Sequence, residues 1–120
     1  MFSLNEAHRF YLYVGACDMR KGFDTLCGLV RSQMRRDPLG GEVFIFINGT
    51  RTTVKLLHWE HGGLVIYHKR LEQGRFSPPR YDAKMGSVEL KWVDLVMMIQ
   101  GIKVEKVHRQ KRYEKPSKTL

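Results

Sequence analysis

The chain has 120 residues, enough for one domain with one core and too few for two. Its 42% hydrophobic and 28% charged residues make an ordinary globular mix. With no apolar run near the roughly 18 residues of a membrane span, they exclude an integral helical membrane protein. The net charge of +9 favours polyanion partners, nucleic acid first, and leaves solubility alone as the plainer alternative. Residues 103–120 hold seven basic and two acidic residues, +5 of that +9. The opening MFSLNEAHRF has no basic segment followed by an apolar one, which argues against a secretory leader. Cys17 and Cys27 form no CxxC pair, so they make neither a disulfide framework nor a zinc site and fit a reducing cytosol.

In chain order, His8–Val14 (HRFYLYV) is rich in aromatic and β-branched residues and predicts a strand. Gly15–Asp18 breaks it, and Asp18 is the expected N-cap of a helix over Met19–Arg36. Phe23, Leu26, Cys27, Val30 and Met34 share one face of that helix. Phe23, Leu26 and Val30 are expected to pack on the sheet, with Ile45, Leu57 and Ile66 as partners. Asp37-Pro38 and Gly40-Gly41 stop the helix. Val43–Ile47, Thr52–Trp59 and Leu64–Lys69 then read as three strands. Asn48-Gly49 and His61-Gly62-Gly63 supply the turns, and the result is an antiparallel meander. Residues 70–84 read as loop, Ser87–Trp92 alternates like a short strand, and Trp92–Gln100 has helical periodicity.

The expected fold is therefore α+β: an antiparallel sheet of four or five strands, the main helix on one face, and a second short helix near the C-terminus. Residues 1–107 would form the domain and 108–120 a flexible basic tail. Several strands are apolar at successive positions. This predicts either that both sheet faces are covered or that the second face pairs with another copy in a homodimer.

Four motifs in order carry a resemblance. Asp18-Met19-Arg20-Lys21-Gly22-Phe23 opens the helix. Lys55-Leu56-Leu57-His58-Trp59-Glu60 lies mid-meander, and Lys69-Arg70-Leu71-Glu72-Gln73-Gly74-Arg75-Phe76 follows it. A closing helix ends in Gln100-Gly101-Ile102, before the basic tail. Together, over residues 8–113, these resemble the TnpB-type accessory protein (the second open reading frame) of IS sixty-six family insertion sequences. The resemblance implies a small protein encoded beside a separate transposase and serving transposition. The chain departs from the family pattern at Pro78-Pro79, where the family carries Trp-Pro, and in a hairpin poorer in arginine.

The residues offer little chemistry. His58 and His61 have HxxH spacing but straddle a strand end, where positions three apart point to opposite faces, so they read as turn and surface histidines. Cys17, beside Asp18 and near Arg20, has no base in view. No phosphate-cradling GxxxxGK[ST] loop is present. The expectation is a non-enzyme without metal or cofactor, cytoplasmic, with DNA as partner through non-specific phosphate contacts. Transposase and another accessory protein of the insertion sequence are further possible partners. The alternative is a module that docks on those proteins without touching DNA. Arg20, Lys21, Arg51, Lys69, Arg70, Arg75, Arg109, Lys111 and Arg112 are the candidate nucleic-acid contacts. Two readings stay open for the first motif. Arg20 and Lys21 could face a phosphate, or one of them pairs with a nearby carboxylate. For 69–81, cations interleaved with Phe76 and Tyr81 could track a nucleic-acid strand, or form a solvated loop with Phe76 tucked into the core.

Overall fold

A computed structural model describes residues 4–82 and 84–100. Five strands form one sheet: β1 (Phe10–Tyr13), β2 (Val43–Ile47), β3 (Thr53–Glu60), β4 (Gly63–Arg70) and β5 (Ser87–Leu90), in the spatial order β4-β3-β2-β1-β5. The β2–β3–β4 meander is antiparallel, as the turn residues predict, and β5 lies antiparallel to β1. β1 and β2 run parallel, with Phe10, Tyr11 and Leu12 opposite Val43, Phe44 and Ile45. The fold is α+β as expected, with this one parallel pair in an otherwise antiparallel sheet. The parallel pair follows from the long connection between β1 and β2, which carries a helix across the sheet and returns the chain to the same starting edge.

That helix is α1 (Phe23–Leu29), which continues as a π-helical turn over Val30–Met34 and stops where Arg35 turns left-handed, φ 57°. It starts later than the predicted Met19, because Asp18 caps nothing. The Asp18 carboxylate instead accepts the Arg20 backbone N–H at 2.9 Å and the Arg20 guanidinium at 2.6 Å, a local turn that competes with helix. The next residues are held by a buried cation. Lys55, on β3, donates from Nζ to the carbonyls of Met19 (2.6 Å) and Lys21 (2.8 Å). Those carbonyls are thereby kept from helical bonding, and the first helical residue is Phe23.

Alternation along each strand divides the core into two layers. Tyr11, Phe44, Phe46 and Leu57 face Leu26, Cys27, Val30 and Met34 of α1 and its π turn. Phe10, Leu12, Val43, Ile45, Val54 and Leu56 face the opposite side. There α2 (Trp92–Ile99) covers them with Leu95, Met98 and Ile99, helped by Leu4 and Phe76. Both faces are thus covered within the chain. Two sequence expectations change. Phe23 is 46% exposed at the helix start, and Ile45 belongs to the α2 layer, while Leu57 and Ile66 do pack with α1.

The β3–β4 turn is the tight two-residue kind: His61 and Gly62 both have positive φ, and Glu60 pairs with Gly63. The β2–β3 turn is longer than Asn48-Gly49 suggests. Residues 48–52 form it, and Arg51 (φ 60°) rather than Gly49 takes the left-handed conformation. The Asn48 side chain replaces missing ladder bonds by accepting the N–H groups of Thr52 (2.9 Å) and Thr53 (3.1 Å).

Candidate nucleic-acid interface

The topology gathers three separate loops at one end of the sheet. β1 and β2 finish there, β3 begins there, β4 finishes there and β5 begins there. The loops are residues 14–22, 48–52 and 71–86, and they touch. The Cys17 N–H donates to the Ile47 carbonyl (2.9 Å) beside the hairpin. The Leu71 N–H donates to Thr52 (2.8 Å), and the Phe76 N–H to Arg51 (2.7 Å). Phe76 is fully buried, so the core reading of its ring holds, and it pins the 71–82 segment beneath the hairpin.

With Arg70 at the end of β4, these loops hold seven basic residues (Arg20, Lys21, Arg51, Arg70, Arg75, Arg80, Lys84) against three acidic ones (Asp18, Glu72, Asp82). The opposite end, residues 5–9, 35–42, 60–62 and 91, holds four of each. There two of the four cations are engaged. Arg9 pairs with Glu89 at 3.1 Å, and Arg36 pairs with Glu42 at 3.5 Å and lies over the Tyr11 ring. The positive charge of the described residues is therefore concentrated at the loop end rather than spread over the surface.

Within that end the candidates sort by partner. Arg20 pairs with Asp18, as the carboxylate reading of its motif has it. The pairing holds the Asp18 carboxyl well below its usual range, yet the Arg20 side chain is 92% exposed and such a surface pair is weak. Arg70 pairs with Glu72 in a similarly open geometry. Lys69 donates to the Ile99 carbonyl at 3.1 Å and so closes the C-terminal end of α2. Lys21, Arg51 and Arg75 have no carboxylate partner among the described residues. Arg80 and Lys84 share that state. Arg80 falls among the 69–81 cations that the sequence offers for tracking a strand, whereas nothing in the sequence around Lys84 singles it out. Arg109, Lys111 and Arg112 lie outside the described residues. The last described residues of α2 stand at the same end, because Ile99 meets Lys69.

His58 is 3% exposed, contrary to its reading as a turn or surface histidine. Its Nε2 bonds the Gly41 carbonyl at 3.1 Å and its Nδ1 faces Glu60 at 2.8 Å, which also accepts the Tyr67 hydroxyl. This ties the start of β2 to the end of β3. His61, at the turn, is exposed and reads as expected. Burial pushes the Cys17 thiol up, away from thiolate, and the nearby Lys21 and Lys55 offset this only in part. Among the described residues no three His, Cys, Asp or Glu side chains gather as a metal site. Nor is any helix among them long and apolar enough to cross a membrane.

The comparisons with known proteins agree with the motif order. A family model described as IS66 Orf2 like protein matches residues 8–109. An uncharacterized protein of Sinorhizobium fredii, y4hO, is 30% identical over 94 residues, 78% of this chain and 80% of its own length. A second from that organism, y4jC, also uncharacterized, is 28% identical over 101 residues, 84% of each chain. No solved structure matches the chain.

Proposed function

The chain belongs to the IS66 Orf2-like family, and on that premise we propose that it is a non-enzymatic accessory protein of DNA transposition. It holds nucleic acid through backbone phosphates at its basic loop end and assists a separately encoded transposase. The observation that carries this reading is the segregation of charge: seven basic residues against three acidic at one end, and four against four at the other. Phosphate contact needs only cations at a surface of the right extent, and it reads no sequence. Lys21, Arg51 and Arg75 suit it best, since none of them forms an ion pair with a carboxylate of the described residues. Arg109, Lys111 and Arg112 belong to the basic segment that follows α2 in sequence. A non-enzymatic role agrees with a Cys17 thiol kept protonated by burial and a His58 committed to two internal bonds.

The test is a gel shift of random duplex DNA at low salt with the purified protein and no partner. Retardation of all sequences alike is the expected result. No shift, together with co-purification of the transposase after nuclease treatment, would replace this reading with one of protein docking.

A further inference from the structure

A cleft of about 170 Å³ opens within the basic end, between the loop after β1, the β2–β3 turn and the segment that ends at Tyr81. Its floor is apolar, made by the buried Leu12 and Ile47 near the ends of the two parallel strands. Tyr81 adds an aromatic residue to its lining, Pro78 an apolar one, and Arg51 a cation, while the Tyr13 ring packs on Phe46 in the α1 layer. Tyr81 is 40% exposed, an aromatic side chain left open to solvent beside a cation. Arg51 holds a left-handed backbone conformation that is unfavourable for any residue with a side chain. Two bonds hold it there. Its N–H donates to the Asn48 carbonyl (3.0 Å), and its own carbonyl accepts the Phe76 N–H (2.7 Å). The larger cleft at the opposite end, about 540 Å³, is lined by Glu6 and Glu89 as well as Arg9 and Lys91, which gives it no net pull on a polyanion.

We propose that the cleft lined by Tyr81, Pro78 and Arg51 seats an unpaired nucleobase of a DNA strand whose phosphates lie on the surrounding cations. The inference rests on the nucleic-acid reading of this end and adds what that end selects. Phosphate contacts alone would need neither an apolar floor nor an exposed aromatic residue beside a cation. A nucleobase has two π faces and a polar edge, and stacking on aromatic side chains is the usual way to hold it without reading its identity. In a duplex both faces are covered by neighbouring bases, so a recessed aromatic cleft can take only a base outside the stack. The protein should therefore favour single-stranded or locally opened DNA, such as strand ends produced during transposition.

The test compares three probes of equal length at one salt concentration: a random single strand, the same strand with abasic sites throughout, and a random duplex. Each is titrated with wild type and with Tyr81→Ala, whose exposed side chain can be removed without opening the core. Wild type should bind the base-bearing strand about tenfold or more tighter than the abasic one. Tyr81→Ala should abolish that difference and leave the salt dependence unchanged, while Tyr81→Phe keeps it. Equal wild-type affinity for the base-bearing and abasic strands, or a preference that survives Tyr81→Ala, overturns the inference. Salt-dependent binding to the duplex alone overturns it and leaves the phosphate reading standing. No binding to any of the three overturns both.

Discussion

Phe76→Ala should destabilise the domain by about 3–5 kcal/mol, the cost of removing a fully buried aromatic ring. The ring is completely buried among Leu12, Ile47, Val54 and the α2 side chains, and nothing else from residues 72–82 joins that cluster. On a domain whose whole stability is about 5–15 kcal/mol, this is a large fraction, and the melting temperature should fall by on the order of 15 °C. The consequence is also functional. Phe76 anchors the segment that carries Arg75, Arg80 and Tyr81, so DNA binding should weaken even below the new melting temperature. Calorimetry with binding measured on the same samples checks both. An unchanged melting temperature would show that the ring does not fill the α2 layer.

Gly86→Ala should be the second large effect, although the residue is exposed. A Cβ at this position would run into the carbonyl oxygen of Gln33, in the π turn that ends α1. The obstacle is backbone rather than the tip of a flexible side chain. Either β5 or the π turn must move. β5 begins one residue later and is held by β1 alone, so the expected loss is roughly 1–3 kcal/mol or more, with β5 displaced from the sheet edge. Hydrogen exchange at Ser87–Leu90 should rise above that of the meander. Wild-type protection in those amides would show that the contact with Gln33 is looser than the geometry gives.

The meander was legible in the sequence because its information is local. Each strand is a short apolar run, and Asn48, His61 and Gly62 sit where the chain must reverse. The parallel β1–β2 pair was not, because nothing within His8–Val14 states which way its neighbour runs. VFIFI is apolar at every position, so its pattern cannot say that Ile45 faces α2 while Phe44 and Phe46 face α1. The helix start was misplaced for a related reason. Lys55, on β3 and remote in sequence, holds the carbonyls of Met19 and Lys21 out of the helix. His58 was misread because its partners, Gly41 and Glu60, come from two different segments. The same limit applied to the candidate interface. Its arginines and lysines were visible as residue types. Their gathering at one end, and the bond of Lys69 to the Ile99 carbonyl, are properties of the topology.

Binding of DNA phosphates at the loop end is read out by the salt dependence of affinity for random duplex DNA. The comparison is wild type against the triple variant Lys21→Ala, Arg51→Ala, Arg75→Ala, whose side chains lie outside both core layers. Each phosphate neutralised contributes about −0.9 to the slope of log K against log salt, so loss of three contacts should flatten the slope by about 2.7. Between 50 and 200 mM salt, wild type should then lose roughly 40-fold more affinity than the variant does. A variant that stays folded, as judged by its melting temperature, and keeps the wild-type slope would contradict the account.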